Sequence, residues 1–150
     1  MIPRASGACE ASLKYCPHVA ANSRKGRRVP AGPLIAVIDD DESMRNAVVA
    51  LVRSAGYQAD GFASAEEFLG CGTVQGFACV ITDIQMPGMS GIDLKQHLAK
   101  AQCAVPVIMI TARHDPGLEG KAMRSGAACF LRKPFQADML IDCLENALKT

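Results

Sequence analysis

Four short apolar runs of this chain each end at a side chain that can bind a metal ion or a phosphoryl group. The first ends at three consecutive aspartates, residues 39–41, and the second ends at Asp83. The third ends at Thr111 and the fourth at Lys133. Carboxylates are ligands for hard divalent cations, and hydroxyl and ammonium groups can neutralise or bind a phosphate. This set of residue types indicates phosphoryl or metal chemistry.

The positions of these runs predict the elements that would bring the side chains together. Each run is four to six residues long, and segments of helical length separate them. Short buried runs spaced in this way are typical of parallel strands joined by helices. Ligands of an open parallel sheet bind outside the carboxyl ends of its strands. We therefore expect the four run ends to meet in one crevice.

Strand and helix patterns alternate from Leu34 onward. The predicted strands cover residues 34–38, 57–62, 78–82, 105–110 and 129–132. The predicted helices cover residues 42–55, a short segment after Ser64, a segment from Ser90 to Lys100, residues 116–125 and residues 136–149. Five such units with right-handed crossovers place helices on both faces of one parallel sheet. The fold class is therefore α/β and doubly wound.

Length and charge suggest one domain after a basic segment. The chain has 150 residues, and no apolar stretch approaches the ~18 residues of a membrane span. Residues 1–33 carry six basic and one acidic side chain (net +5), and residues 34–150 carry ten basic and fourteen acidic ones (net −4). We predict a disordered basic extension over 1–33 and an acidic domain over 34–150. An acidic domain disfavours nucleic acid as a direct ligand, and the missing leader pattern favours a cytoplasmic protein.

The cysteines predict no disulfide framework. There are seven, an odd number, and their spacing is irregular. Cys79 and Cys129 fall inside predicted strands, and Cys143 falls on the apolar face of the last predicted helix. We expect these three to be small buried thiols in a reducing compartment.

The three strand-end aspartates Asp39, Asp40 and Asp83 predict a metal site. Carboxylates that converge in one crevice repel each other unless a cation lies between them. An all-oxygen ligand set favours Mg²⁺, and zinc is disfavoured because no histidine or cysteine lies at these strand ends. A carboxylate beside such an ion can attack phosphorus and form an acyl phosphate.

Four motifs carry a resemblance to a known family. They are Val-Ile-Asp-Asp-Asp-Glu at 37–42, Thr-Asp-Ile-Gln-Met-Pro-Gly-Met-Ser-Gly at 82–91, Ile-Thr-Ala at 110–112 and Phe-Leu-Arg-Lys-Pro-Phe at 130–135. With them, the chain from 34 to 150 resembles the receiver domain of bacterial two-component response regulators, and the nitrogen-fixation and LuxR-type receivers in particular. The resemblance implies a flavodoxin-like (βα)5 fold with strand order 2-1-3-4-5.

The same resemblance implies roles for the acidic residues. Asp83 matches the aspartate that accepts a phosphoryl group. Asp39 and Asp40 match the pair that holds Mg²⁺ together with Asp83. Gln85 matches the position that offers its backbone carbonyl to the metal.

The resemblance also implies a switch. Thr111 matches the hydroxyl that follows the phosphoryl group, and Lys133 matches the lysine that contacts it. Phe130 matches the aromatic side chain whose rotamer reports phosphorylation. The bond between Lys133 and Pro134 matches one that is usually cis in this family.

The implied function is a signalling switch that a histidine kinase or phosphotransfer protein phosphorylates. The chain would catalyse at most its own phosphorylation and dephosphorylation. Output would pass by protein contact through the fourth helix, fifth strand and last helix, with a phosphorylation-dependent dimer as one form of that contact. We expect no direct binding of this chain to DNA or to a membrane.

Three alternatives remain open from the sequence. The chain can be the receiver part of a longer DNA-binding regulator. It can be a phosphorylation-independent interaction module. It can also be a haloacid dehalogenase-like phosphohydrolase with Asp39 as nucleophile, since Asp39 and Asp41 form an Asp-x-Asp pair. That last family needs a later acidic pair, and none follows the fourth predicted strand.

Overall fold

The structure is a computed structural model that describes residues 32–72, 74–113 and 115–149. Nearly all of the predicted basic extension, with its cysteines, lies outside the described residues. Its predicted disorder therefore stays a prediction.

Strands and helices alternate along the described chain. The strands are β1 (Leu34–Ile38), β2 (Gln58–Phe62), β3 (Cys79–Asp83), β4 (Val107–Thr111) and β5 (Cys129–Arg132). The α-helices are α1 (Glu42–Ser54), α2 (Ala65–Gly70), α3 (Gly91–Lys100), α4 (Pro116–Arg124) and α5 (Ala137–Lys149). One 3₁₀ turn, Val74–Gly76, precedes β3. Each predicted strand and helix is present, with bounds within a few residues of those expected.

The five strands form one parallel sheet in the order β2-β1-β3-β4-β5, which confirms the predicted architecture. Its register aligns the strand ends: Ile38 lies opposite Thr82, Asp83 opposite Ile110, and Thr111 opposite Arg132. The carboxyl ends of β1, β3, β4 and β5 therefore lie along one edge.

Side-chain caps fix where the helices begin, and this positions the loops that leave the sheet. Asp41 caps α1 by accepting hydrogen bonds from the backbone N–H groups of Ser43 and Met44. Ser90 and Asp93 form a reciprocal capping box at the start of α3. Ser64 caps α2. Asp41, Ser64 and Ser90 thus fix the first turns of α1, α2 and α3.

The hydrophobic core has two layers, one on each face of the sheet. Alternate strand residues face opposite layers, as Ile35 and Ala36 of β1 do. One layer contains three aromatic rings packed edge to face, Phe62, Phe68 and Phe77, with centroids 5.3–5.9 Å apart. The other layer packs α1 and α5 against the sheet. The strands thus have little freedom to move, which holds their ends in place.

One sequence expectation about the cysteines is wrong. Cys129 of β5 and Cys143 of α5 form a disulfide and are only partly buried. The packing of α5 against β5 brings their Cα atoms to 6.1 Å, a separation at which disulfides form. Cys79 follows the expectation, because it is a free thiol and burial raises its pKa to about 12.

No helix within the described residues is long and apolar enough to cross a membrane.

The two-layer core predicts a large stability difference between two positions of α5. Leu144 is fully buried and Met139 is 49% exposed. We expect Leu144→Ala to lower the free energy of unfolding by about 2–5 kcal/mol, because it removes transfer free energy and leaves a cavity. The control Met139→Ala should change it by less than about 0.5 kcal/mol. Urea unfolding measures the free energy of unfolding of both variants. Equal losses in the two variants would contradict the burial of Leu144 and the exposure of Met139.

Candidate functional site

Three charged side chains from distant parts of the chain meet at the carboxyl edge of the sheet. Asp39 directly follows β1, Asp83 is the last residue of β3, and Lys133 directly follows β5. The Lys133 ammonium nitrogen lies 3.3 Å from Asp39 Oδ2 and 3.1 Å from Asp83 Oδ2. Since β4 separates β3 from β5, the long lysine side chain must reach past the end of β4.

Backbone groups hold the other oxygen of each buried carboxylate. The Asp41 N–H donates to Asp39 Oδ1 at 3.0 Å, and the Gln85 N–H donates to Asp83 Oδ1 at 3.1 Å. Each carboxylate therefore has one oxygen on a backbone amide and one on Lys133. Both groups are oriented before any ligand binds, which lowers the cost of binding one.

Arg45 of α1 adds a contact that the sequence analysis did not predict. Its guanidinium donates to the backbone carbonyl of Asp39 at 2.8 Å. The aliphatic part of its side chain lies over Gly61 of β2, where a Cβ atom would be 3.2 Å from it. An amphipathic helix pattern places Arg45 at the surface of α1 but carries no signal for this reach to the strand end.

The acidic groups form a set suited to a metal ion. Asp39, Asp40 and Asp83 each offer a carboxylate oxygen, and these oxygens lie within 4.8 Å of one another. Asp39 and Asp83 are 5% and 9% exposed, whereas Asp40 is exposed to solvent. The site is therefore anchored on its inner side and open on its outer side. An all-oxygen set with room for water fits Mg²⁺.

Burial and charge act against each other in this cluster. Burial raises the pKa of the Asp83 carboxyl, and the lowering by Lys133 does not cancel that effect. Burial by itself lowers the pKa of the Lys133 ammonium, but its attraction to Asp83 and Asp39 raises that pKa overall. Lys133 is thus a cation at neutral pH. One lysine faces three carboxyl groups, and this imbalance favours a further cation.

The remaining predicted site residues lie beside this cluster. Thr111 is fully buried at the end of β4, where its carbonyl accepts from the Lys133 N–H at 2.8 Å. Its hydroxyl oxygen accepts from the Arg113 N–H at 3.0 Å. The peptide bond between Lys133 and Pro134 is cis, as the resemblance implied. Gln85 is exposed, and its backbone N–H contacts Asp83.

Phe130 lies in β5, two residues before the carboxyl end of that strand. It pairs with Met109 in the sheet and packs partly buried against the hydrophobic core. The Arg132 guanidinium lies 5.8 Å from the centre of its ring, a cation–π separation. Its role as a rotamer switch stays a prediction.

The raised pKa of Asp83 yields a prediction about stability. A carboxyl whose folded-state pKa exceeds the unfolded value destabilises the fold when it is ionised, and this cost disappears as pH falls through the folded-state pKa. In EDTA at pH 7.5 we therefore expect Asp83→Asn to raise Tm by about 1–3 °C. The difference in Tm between Asp83→Asn and the wild type should narrow as the pH approaches 4. Calorimetry over this pH range measures it.

The matched control is Asp142→Asn, the same chemical change at an exposed position of α5. Its Tm difference from the wild type should stay small across the pH range. A lower Tm for Asp83→Asn at pH 7.5 would contradict the prediction.

Comparison with known proteins identifies the family of this chain. The model of the response regulator receiver domain matches residues 35–145. The transcriptional regulatory protein FixJ of Bradyrhizobium diazoefficiens is 38% identical over 115 residues, which cover 77% of this chain and 56% of FixJ. The response regulator protein TmoT of Ectopseudomonas mendocina is 36% identical, over 77% of this chain and 53% of TmoT. The chain spans about half the length of these curated relatives.

Solved structures agree with this match. The crystal structure of FixJ-N superposes with a TM-score of 0.70 at 29% identity, over 80% of this chain and 96% of that one. The chemotaxis protein CheY4 of Vibrio cholerae gives a TM-score of 0.71 at 28% identity, over 79% of this chain and all of CheY4. Fold, site geometry and sequence thus lead to one conclusion: the chain belongs to the response regulator receiver family, and within it to the FixJ-like group.

Proposed function

We propose that Asp83 is the phosphoacceptor of this receiver domain and that its phosphorylation switches the output surface of the chain. The observation that carries the proposal is that the Asp83 carboxylate lies 3.1 Å from the Lys133 ammonium and offers an oxygen within 4.8 Å of one from each of Asp39 and Asp40. Such a carboxylate has a cation beside it and further ligands for a metal within reach. A cation and a metal ion at these positions would stabilise the negative charge of a transferred phosphoryl group.

The proposed reaction transfers the phosphoryl group from nitrogen to oxygen. A carboxylate oxygen of Asp83 attacks the phosphorus of a phosphohistidine on a histidine kinase or phosphotransfer protein. The O–P bond forms, the N–P bond breaks, and the imidazole leaves with its electron pair and takes a proton. Lys133, already within 3.1 Å of Asp83, stabilises the negative charge of the transferred group.

We propose that Asp39, Asp40 and Asp83, with the backbone carbonyl of Gln85, hold Mg²⁺. When bound, Mg²⁺ neutralises charge on the phosphoryl oxygens. The residues of the chain do the rest of the positioning. The backbone N–H groups of Asp41 and Gln85 keep the two buried carboxylates in place.

The switch is proposed to run from Thr111 to Phe130. The Thr111 hydroxyl would turn to the phosphoryl group and leave the N–H of Arg113, and Phe130 would change rotamer in response. Phosphorylation can shift such an equilibrium only because the two arrangements contact the phosphoryl group differently.

The proposed output surface consists of α4, β5 and α5. It carries the two most exposed large apolar side chains of the described residues, Met123 on α4 and Met139 on α5. Arg132 of β5 forms an exposed ion pair with Glu119 of α4 at 3.4 Å. We propose that this surface binds a protein partner or a second copy of the chain in the cytoplasm, and that the chain makes no direct contact with DNA.

Intact-mass analysis tests the phosphoacceptor. Wild-type protein incubated with acetyl phosphate and Mg²⁺ should gain one phosphoryl group, and EDTA should prevent the gain. Asp83→Asn should gain none, because the amide cannot form an acyl phosphate. Asp142→Asn should behave like the wild type. Modification of Asp83→Asn to the wild-type extent would overturn the assignment of the acceptor.

Light scattering after size exclusion tests the output surface. Phosphorylated wild type should self-associate, and Asp83→Asn should stay monomeric in the same buffer. Met139→Asp should weaken the association about tenfold or more, since a charge would replace an exposed apolar side chain of the proposed surface. It should still accept the phosphoryl group at the wild-type rate. Unchanged association of phosphorylated Met139→Asp would contradict a dimer formed through this surface.

A further inference from the structure

The loop between β3 and α3, residues 84–90, carries the proposed metal-binding carbonyl of Gln85. Hydrogen bonds hold it at both ends. At its start, the Gln85 N–H donates to Asp83 Oδ1, and at its end the Gly91 N–H donates to the carbonyl of Ile84 at 3.0 Å. The loop closes so tightly that a Cβ atom on Gly91 would lie 2.8 Å from the Asp83 carbonyl oxygen.

The middle of this loop is held by a residue from another element. Glu66, in the first turn of α2, accepts a hydrogen bond from the backbone N–H of Met89 at 3.0 Å through Oε2. The two residues lie 23 positions apart. The Met89 side chain, partly buried, packs against the hydrophobic core below the loop. An amide bonded to a carboxylate makes a stronger hydrogen bond than one bonded to a neutral acceptor.

Gly88 shows how closely the loop approaches this carboxylate. A Cβ atom on Gly88 would lie 2.7 Å from Glu66 Oε2 and 3.4 Å from Glu66 Cδ. The φ angle of Gly88 is +79°, a conformation that residues with a Cβ atom rarely adopt. The glycine thus meets two requirements, the backbone conformation and the close contact with Glu66.

The helix that carries Glu66 is held in place, although the Glu66 side chain is exposed. Ser64 and Glu67 cap α2: the Glu67 N–H donates to Ser64 Oγ at 3.0 Å, and the Ala63 N–H donates to Glu67 Oε1 at 2.7 Å. On the inner side of α2, Phe68 is fully buried. The two adjacent glutamates therefore differ in role. Glu67 stabilises its own helix, and Glu66 contacts a distant loop.

We propose that Glu66 is a positioning residue for metal binding and phosphoryl transfer. It acts by holding the β3–α3 loop, and with it Gln85, against the acidic cluster. The inference rests on the proposed function of Asp83 and adds to it a residue outside the cluster of Asp39, Asp40, Asp83 and Lys133. Outer partners that orient metal ligands typically change metal affinity by roughly 10- to 100-fold when removed. Because Glu66 acts on a loop rather than on a ligand, a smaller effect is expected.

The test uses three variants. Glu66→Ala removes the acceptor, Glu66→Gln keeps an oxygen acceptor without the charge, and Glu67→Ala removes the neighbouring carboxylate of the same helix. Three quantities are measured: amide hydrogen exchange of Met89 without metal, the Mg²⁺ dissociation constant from amide chemical shifts, and the initial rate of phosphorylation by acetyl phosphate.

For Glu66→Ala we expect Met89 exchange to become at least about tenfold faster. Its Mg²⁺ dissociation constant should rise roughly 3- to 10-fold, with a matching loss of phosphorylation rate at limiting Mg²⁺. Glu66→Gln should lie between Glu66→Ala and the wild type in Mg²⁺ affinity, since its amide oxygen can still accept the Met89 N–H but makes a weaker hydrogen bond than the carboxylate. Glu67→Ala should lower Tm and leave Mg²⁺ affinity unchanged.

Wild-type Mg²⁺ affinity in Glu66→Ala would overturn the positioning role. Equal losses of Mg²⁺ affinity in Glu66→Ala and Glu66→Gln would also overturn it, because they would indicate an effect of the Glu66 charge alone. Phosphorylation of the wild type by acetyl phosphate tests the proposed function separately from the role of Glu66. If the wild type gains no phosphoryl group, the proposed function fails. Met89 exchange in Glu66→Ala then still decides whether the carboxylate holds the loop.

Discussion

The site depends on the balance of charge among groups taken out of water. Asp39 and Asp83 end adjacent parallel strands and are 5% and 9% exposed, so each needs a partner. The single ammonium group of Lys133 forms ion pairs with both carboxylates. Lys133 follows β5, which lies two strands away from β3, and its long side chain spans that distance. With Asp40 at the rim, negative charge still exceeds positive charge. This excess of negative charge suits the cluster to a divalent cation.

Such a cluster is expensive to maintain, and the rest of the fold supports it. Buried ion pairs often contribute less to stability than apolar side chains of the same size, and the raised pKa of Asp83 agrees with that view. Two hydrophobic layers fix the strands, and helix caps and backbone amides fix the loops at their ends. Around the rim, Arg45 holds the main chain at Asp39, and Glu66 holds the loop after β3. Arg45 and Glu66 both bind backbone groups and not the carboxylates of the cluster. They therefore do not occupy carboxylate oxygens that a ligand could use.

Much of this arrangement could be predicted from the sequence because buried parallel strands leave a clear pattern. The strand-end positions of Asp39, Asp83, Thr111 and Lys133 followed from apolar runs alone, whereas the strand order came from the family resemblance. The fourth strand begins at Val107 rather than at residue 105, since Pro106 has no N–H to donate to the sheet. The disulfide between Cys129 and Cys143 and the contact from Glu66 to Met89 depend on how elements pack in three dimensions. No periodicity or spacing in the sequence reports such packing.

We propose that Asp83, and neither Asp39 nor Asp40, carries the phosphoryl group. Borohydride reduces an aspartyl phosphate to homoserine with release of phosphate, so it marks the acceptor permanently. The phosphorylated wild-type protein would be reduced in this way, digested and sequenced by tandem mass spectrometry. The assignment of Asp83 as the acceptor predicts homoserine at position 83 alone. Homoserine at position 39 would contradict it and would instead favour a phosphohydrolase-like nucleophile on the first strand.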